Sequence, residues 1–230
     1  MSLKVLALDA ATESLSAAIS ADNCKECVSH FEVCPQEHSQ KILPLVESLL
    51  IKDNIKLKDL DVIAFGRGPG SFTGVRISVA ITQGLAFSAN LPIIGISTLQ
   101  TMAQQAMDDT GAKNVYAAID ARMSEVYFAH YRADEDGIAK LIDKEIVIKP
   151  ELLTLDSEEA VAVGTGFETY SSLHQADNIK FLTDITLPNA KYMLKIASRL
   201  HAKGECVSAS QAQPMYVRDT VTWKKLPGKE

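Results

Sequence analysis

Short apolar runs, polar turns and helical stripes follow one another along this chain. Val5-Leu6-Ala7-Leu8 is a continuous apolar run of buried-strand length, and Leu15-Ser16-Ala17-Ala18-Ile19 alternates as a second strand. Asp9-Ala10-Ala11-Thr12-Glu13-Ser14 forms a polar turn between them. Ala21-Asp22-Asn23 supplies another reversal, after which the residues up to about Cys34 read as a third, antiparallel strand.

From Ser39 the period changes. Ile42, Leu45, Val46 and Leu49 recur on one helical face with Leu43 and Leu50 beside it, and Pro44 predicts either a helix start or a bend. Asp61 to Phe65 reads as a strand running directly into GRGPGSFTGVR, where glycines 66, 68, 70 and 74 permit tight turns and Ser71 or Thr73 can cap a helix. A helix is expected from Thr73 to about Asn90. Gly74, Ser78, Thr82 and Ala86 make a small-residue stripe every four positions, and Val75, Ile77, Val79, Ile81, Leu85 and Phe87 make most of the rest apolar. Such a helix is covered on more than one side, and its stripe invites close approach of another helix, from this chain or from a partner.

A strand at 92–97 and a helix at 98–107 lead to Asp108-Asp109-Thr110-Gly111, the expected boundary between domains 1–108 and 109–230. The chain then repeats itself. VYAAIDARMSEVYFAHY (115–131) matches VLALDAATESLSAAI (5–19) with Asp120 set on Asp9, which predicts duplicated α/β domains whose Asp turns face each other across a cleft. A strand at 145–149, an apolar run into Gly164-Thr165-Gly166, and a helix from Tyr192 to Leu200 complete the layered α/β pattern.

Composition narrows the function classes. The 230 residues are 47% apolar, enough for a substantial core, and no stretch approaches the roughly 20 consecutive apolar residues of a membrane span. MSLKVLALDAATES lacks the basic flank and apolar length of a signal peptide, so a cytoplasmic location is expected. The net charge of −6 argues against a surface that by itself grips nucleic acid. The locally basic end, Arg218 with Lys224, Lys225 and Lys229, reads either as a nucleic-acid contact or as a solvated terminus.

CKECVSHFEVCPQEH (24–38) resembles a metal site, with Cys24, Cys27, His30, Cys34 and His38. On a strand, however, Cys24 and Cys27 face opposite sides, and Cys24 and Cys34 lie about 33 Å apart at the usual rise per residue. No Gly, Asn or Pro follows the first pair to make a knuckle, so no metal is expected there. GRGPGSFTGVR also fits neither phosphate fingerprint: no third glycine stands at the dinucleotide spacing, and no Gly-Lys-Ser/Thr follows.

LALDAATE, EHSQKILPLVESLL, GRGPGSFTGVR, AIDARMSEVY, GTGF and PMYVRDTVTWKK, in that order, resemble the TsaB (YeaZ) family over nearly the whole length. The resemblance implies two ribonuclease-H-like α/β domains of the actin-like, sugar-kinase-like and Hsp70-like ATPase superfamily. It implies a role in transferring threonylcarbamoyl to the adenosine beside the tRNA anticodon. The implied partners are a homologous catalytic TsaD-type subunit and a TsaE-type ATPase, with a homodimer in isolation. In the catalytic relatives a His-x₃-His pair binds metal. Motif order puts that pair at Thr98 and Met102, so no catalytic residue is assigned.

On this reading Ile42, Leu45, Val46, Leu49, Gly74, Ser78, Ile81, Thr82 and Leu85 form the partner interface. Asp9, Thr12, Gly68, Gly70, Asp120, Gly164 and Gly166 are relics of a nucleotide site, with no cofactor required and at most weak or interfacial ATP or ADP binding. The alternatives are a metal-dependent hydrolase or protease and a small-molecule kinase of the same fold.

Overall fold

The computed structural model describes residues 2–218 apart from 23, 25, 156–158, 175 and 176. The first sheet holds β1 (Val5–Asp9), β2 (Ser14–Ser20), β3 (Val28–Val33), β4 (Val62–Gly66) and β5 (Ile93–Ile96) in the order β3-β2-β1-β4-β5. The second holds β6 (Asn114–Asp120), β7 (Val126–Ala133), β8 (Ala139–Leu141), β10 (Ala160–Val163) and β11 (Ile179–Phe181) in the order β11-β10-β6-β7-β8, with β9 (Ile146–Ile148) also on β7. In each sheet the first three strands form an antiparallel meander, and β4 and β5, or β10 and β11, add in parallel; β9 is antiparallel to β7. These are the two ribonuclease-H-like α/β domains that the resemblance implies.

Strand parity sets the layers. Leu6, Leu8, Ile63 and Phe65 point to one face of the first sheet, under α1 (His38–Lys52) and α2 (Phe72–Ala89). Val5, Ala7, Val62 and Ala64 point to the other, where α5 (Met193–Ala202) docks from the far end of the chain. In exchange α3 (Thr98–Thr110), which follows the first sheet, packs Leu99, Met102, Ala103 and Ala106 on Val115, Ala117, Ile119 and Val163 of the second. The expected division at 108/109 thus falls inside a helix that belongs by packing to the second sheet. The remaining face of that sheet is closed by Phe167 of the short α4 (Thr165–Thr169) and by Leu173.

The helices obey their end signals. Ser71 accepts from the Gly74 amide at 3.0 Å to cap α2, and Ser97 accepts from Leu99 and Gln100 to cap α3. Asn90 and Gly111 end the two helices in left-handed conformations. Pro44 neither starts nor splits α1, which is one helix from His38 to Lys52 with Pro44 on its exposed side. The carbonyl that Pro44 leaves without a donor belongs to exposed Gln40, where water can serve it.

The structure corrects the strand expected from residue 24. β3 begins at Val28, and Cys24 lies in a turn at φ 63° with its amide and that of Glu26 bonded to Ser20 and Asp22 side chains. Cys24 and Cys27 therefore do not alternate. Both pack beside the cluster under α5, whereas Cys34 is buried in the cluster under α1. His38 is buried as well, its Nε2 3.1 Å from the Ser14 carbonyl. Among the described residues no group of three or more His, Cys, Asp or Glu could hold a metal ion.

Candidate functional site

The two Asp turns do meet, yet the two aspartates do not. The Cys-free turn after β1 presents Glu13, and Arg122 of the turn after β6 reaches it at 3.2 Å while also bonding Asp120 at 3.2 Å. Asp9 points elsewhere. It is fully buried beside Gly66, where an added Cβ would lie 1.9 Å from its Oδ2. Asp9 Oδ1 accepts from the Ala11 amide at 2.8 Å and Oδ2 has no partner. Burial pushes its carboxyl up to about 7, against the lowering effect of the Ala11 bond.

Parity explains the mismatch. Leu6 and Leu8 face the crossover helix of their sheet, and in the second sheet it is Tyr116 and Ala118 that do so. Superposing these equivalent faces needs an even offset, while setting Asp120 on Asp9 is an odd one and turns every side chain to the wrong side. The sequence repeat marks the duplicated hairpin but misplaces its faces by one residue.

The glycine motif packs closely on the first turn. A Cβ on Gly70 would lie 2.1 Å from the Ala11 carbonyl oxygen, and one on Gly74 2.3 Å from that of Ala10. The Ser71 amide donates to Ala11 O at 2.7 Å, which fastens the loop to the first turn. In the second half Gly164, at φ 104°, brings its α-carbon against the Ala118 carbonyl in the same way, and Gly166 packs on Ala118. Of the expected nucleotide-site residues, Thr12, Gly70 and Asp120 line one cleft, and Asp9, Gly68, Gly164 and Gly166 lie outside it.

That cleft, of about 770 Å³, runs between the halves. Val75, Ile119, Tyr127 and Val217 give it apolar walls, and Phe72, Arg76, Met123 and Tyr216 stand at its opening. The Arg76 guanidinium lies flat over Phe72, 3.2 Å from the ring centroid, with Tyr216 at 5.3 Å. Arg122, Met123 and Ser124 all have φ near +60°, a run costing about 1 kcal/mol or more per residue. Arg218 holds this turn by bonding the Ala121 carbonyl at 3.1 Å and Glu125 at 2.6 Å. Lys224, Lys225 and Lys229 of the basic end lie outside the described residues.

The expected partner interface also needs correction. Gly74, Ser78, Thr82 and Ala86 are buried against the chain's own sheet, as are Ile42, Val46 and Leu49. The small-residue stripe lets α2 approach β1, with Gly74 on the Ala10 carbonyl, and so is not available to another helix. Leu45, Ile81 and Leu85 remain at intermediate exposure. The outward face carries Leu43, Ile51 and Phe87, the last 85% exposed, around Ala80 and Gly84. A Cβ at Gly84 would meet nothing within 4 Å, so no contact inside the chain demands a glycine there. A glycine inside a long helix, off the small-residue stripe, was the available signal for this outer face, and the inner stripe obscured it.

Comparison with known proteins gives a consistent result. The family model described as TsaD, tRNA N6-adenosine threonylcarbamoyltransferase, matches residues 30–222. The chain is 47% identical to the tRNA threonylcarbamoyladenosine biosynthesis protein TsaB of Escherichia coli (strain K12), over 99% of this chain and 100% of that one. Identity to the protein of the same description from Haemophilus influenzae is 44%, over 99% of each. The solved structure of YeaZ from Pseudomonas aeruginosa superposes with a TM-score of 0.87 at 40% identity, covering 94% of this chain and all of the other.

Proposed function

This chain belongs to the TsaB family of tRNA threonylcarbamoyladenosine biosynthesis proteins, and from that premise we propose that it serves this modification in the cytoplasm as a non-catalytic partner subunit. It docks a homologous TsaD-type catalytic subunit, alongside a TsaE-type ATPase, and pairs with a second copy of itself when that subunit is absent. Both pairings use one patch and so compete.

The observation that carries this reading is the outer face of α1 and α2. Leu43, Ile51 and Phe87 are exposed there, and Gly84 leaves open space at the centre of an 18-residue helix. An interior helical glycine costs about 0.5–1 kcal/mol relative to alanine, and close approach of a partner helix would offset that cost.

The absence of an assigned catalytic role is supported by positions 98 and 102, where the catalytic relatives are expected to carry their metal-binding pair. Thr98 and Met102 are fully buried, and Met102 packs against the second sheet. No nucleotide is required. Weak ATP or ADP binding would use the cleft, which Gly70 of the glycine loop lines, or a shared interface.

Threonylcarbamoyl transfer to unmodified tRNA, measured with TsaD-type, TsaE-type and adenylate-forming proteins, with and without this chain, tests the proposal. Transfer and a stable complex on sizing only in its presence are expected. Full transfer without it, and no complex, overturns the reading. Substrate-dependent ADP release by the isolated chain would instead indicate a kinase, and retained stoichiometric metal a hydrolase.

A further inference from the structure

The rim of the cleft has the chemistry of a base-stacking site, and we propose that it takes an unpaired nucleotide of an RNA strand. The inference rests on the proposed function only in choosing tRNA as the natural strand. Phe72 is 66% exposed, Tyr216 48% and Met123 58%, an unusual amount of aromatic and thioether surface at one opening. Their positions are held. Tyr216 follows Met215, whose amide donates to the Arg67 carbonyl at 2.8 Å, and Met123 sits in the left-handed turn fixed by Arg218. Rigid, exposed rings are what a nucleobase stacks on, because every base offers a π-face whatever its sequence.

The charge pattern selects a polyanion. Beside the cleft the exposed Arg122 pairs with Glu13 and Asp120, both at 3.2 Å. Arg76 forms no ion pair among the described residues. Phe72 and Tyr216 hold it flat, and Nη1 donates to the Phe72 carbonyl at 3.2 Å. A guanidinium fixed in this way loses little freedom when its remaining donors meet a phosphate. Asp120 and Glu13 also line the cleft, and their carboxylate oxygens can accept from base amino groups.

A net charge of −6 opposes tight non-specific binding, so affinity must come from stacking and the local cation together. The site is accordingly single-strand selective, and weak for a free mononucleotide, which lacks the flanking phosphates. Double-stranded RNA, whose bases are already stacked, does not enter it.

The test is fluorescence anisotropy of labelled oligoadenylate and of unmodified tRNA on the full chain, with AMP and a blunt RNA duplex as competitors. Binding of both strands is expected, with no competition from the duplex. AMP should compete only at concentrations far above those of the strand. Tyr216→Ala and Phe72→Ala should each weaken binding about tenfold, while Tyr216→Phe retains it. Arg76→Ala should in addition lower the slope of log affinity against log salt by about 0.7.

No binding of either strand, or equal binding by wild type and Tyr216→Ala, overturns the proposal. Competition by AMP at strand concentrations assigns the cleft to a free nucleotide and overturns it too. Sizing of Tyr216→Ala with the catalytic subunit keeps the two readings apart: normal assembly with lost RNA binding supports this site, and lost assembly with intact RNA binding overturns it.

Discussion

Two halves with the same strand order solve the covering of their sheets differently. Between β4 and β5 the first half places an 18-residue helix, and before it another of 15 residues. Between β10 and β11 the second places a five-residue α-helix and a three-residue 3-10 turn, and Phe167 with Leu173 suffices to close that face. Long crossover helices are therefore not required by this topology. The excess in the first half has an inner side, packed on Leu6, Leu8, Ile63 and Phe65, and an outer side of exposed Leu43, Ile51 and Phe87 that the second half does not match. Burial separates what α2 does for the fold from what it offers outside.

The strongest way to break that separation is to put the same large side chain on each side of α2. Thr82 is fully buried, and Thr82→Trp should cost more than the about 3 kcal/mol that overpacking usually reaches, enough to unfold much of the protein. Gly84→Trp, two residues on and facing open space, should keep the wild-type melting temperature and abolish assembly with the partner. Sizing and thermal melts check both. A folded Thr82→Trp, or an assembling Gly84→Trp, would show that inner and outer faces are wrongly assigned.

A slightly smaller effect distinguishes the two aspartates. Asp9 is pushed up to about 7 in the fold from an ordinary value near 3.8. A raised carboxyl means that the folded state holds its proton more tightly than the unfolded one. The cost of ionising it is absent below about pH 3.8, grows as pH rises, and is complete above about pH 7. The displacement corresponds to about 4 kcal/mol. Urea unfolding should show this component of stability falling across that window in wild type and absent in Asp9→Asn. Equal pH dependence in both would remove Asp9 from the account.

Next come the glycines that seat each loop on its first strand. Gly70→Ala sets a Cβ 2.1 Å from the Ala11 carbonyl, and Gly164→Ala sets one 2.1 Å from that of Ala118 at an unfavourable φ of 104°. Both should lose about 3 kcal/mol by chemical denaturation, Gly164→Ala the more. A neutral Gly70→Ala would mean the first-half loop is free to move and could still cradle an anion.

How much of this was legible follows from which signals are local. Most of the strands, the helices α2 and α3, and the duplicated hairpin announce themselves through apolar runs, the cap at Ser71 and the repeated Asp-Ala, whereas the three-residue β8 and β11 are too short to do so. The direction of a side chain depends instead on register, which a one-residue offset reverses, so Asp9 and Asp120 read as equivalents and are not. The stripe Gly74, Ser78, Thr82 and Ala86 is real, but periodicity cannot say whether small residues admit a strand beneath or a partner outside. The cleft rim joins Phe72, Met123 and Tyr216 from three distant segments, and its left-handed turn at Arg122 carries no glycine to betray it.

The smallest effect probes the outer face alone. Gly84→Ala removes backbone freedom from the unfolded chain, and its Cβ enters empty space, so the isolated subunit should gain about 0.5–1 kcal/mol, a rise of roughly 1–4 °C in Tm. The same methyl would stand between α2 and a closely packed partner helix, so assembly should weaken as the subunit stabilises. Calorimetry on the isolated chain and titration of the partner separate the two signs. Stabilisation without loss of assembly would show that the partner does not approach α2 at Gly84, and would move the docking patch toward α1 and its Leu43 and Ile51.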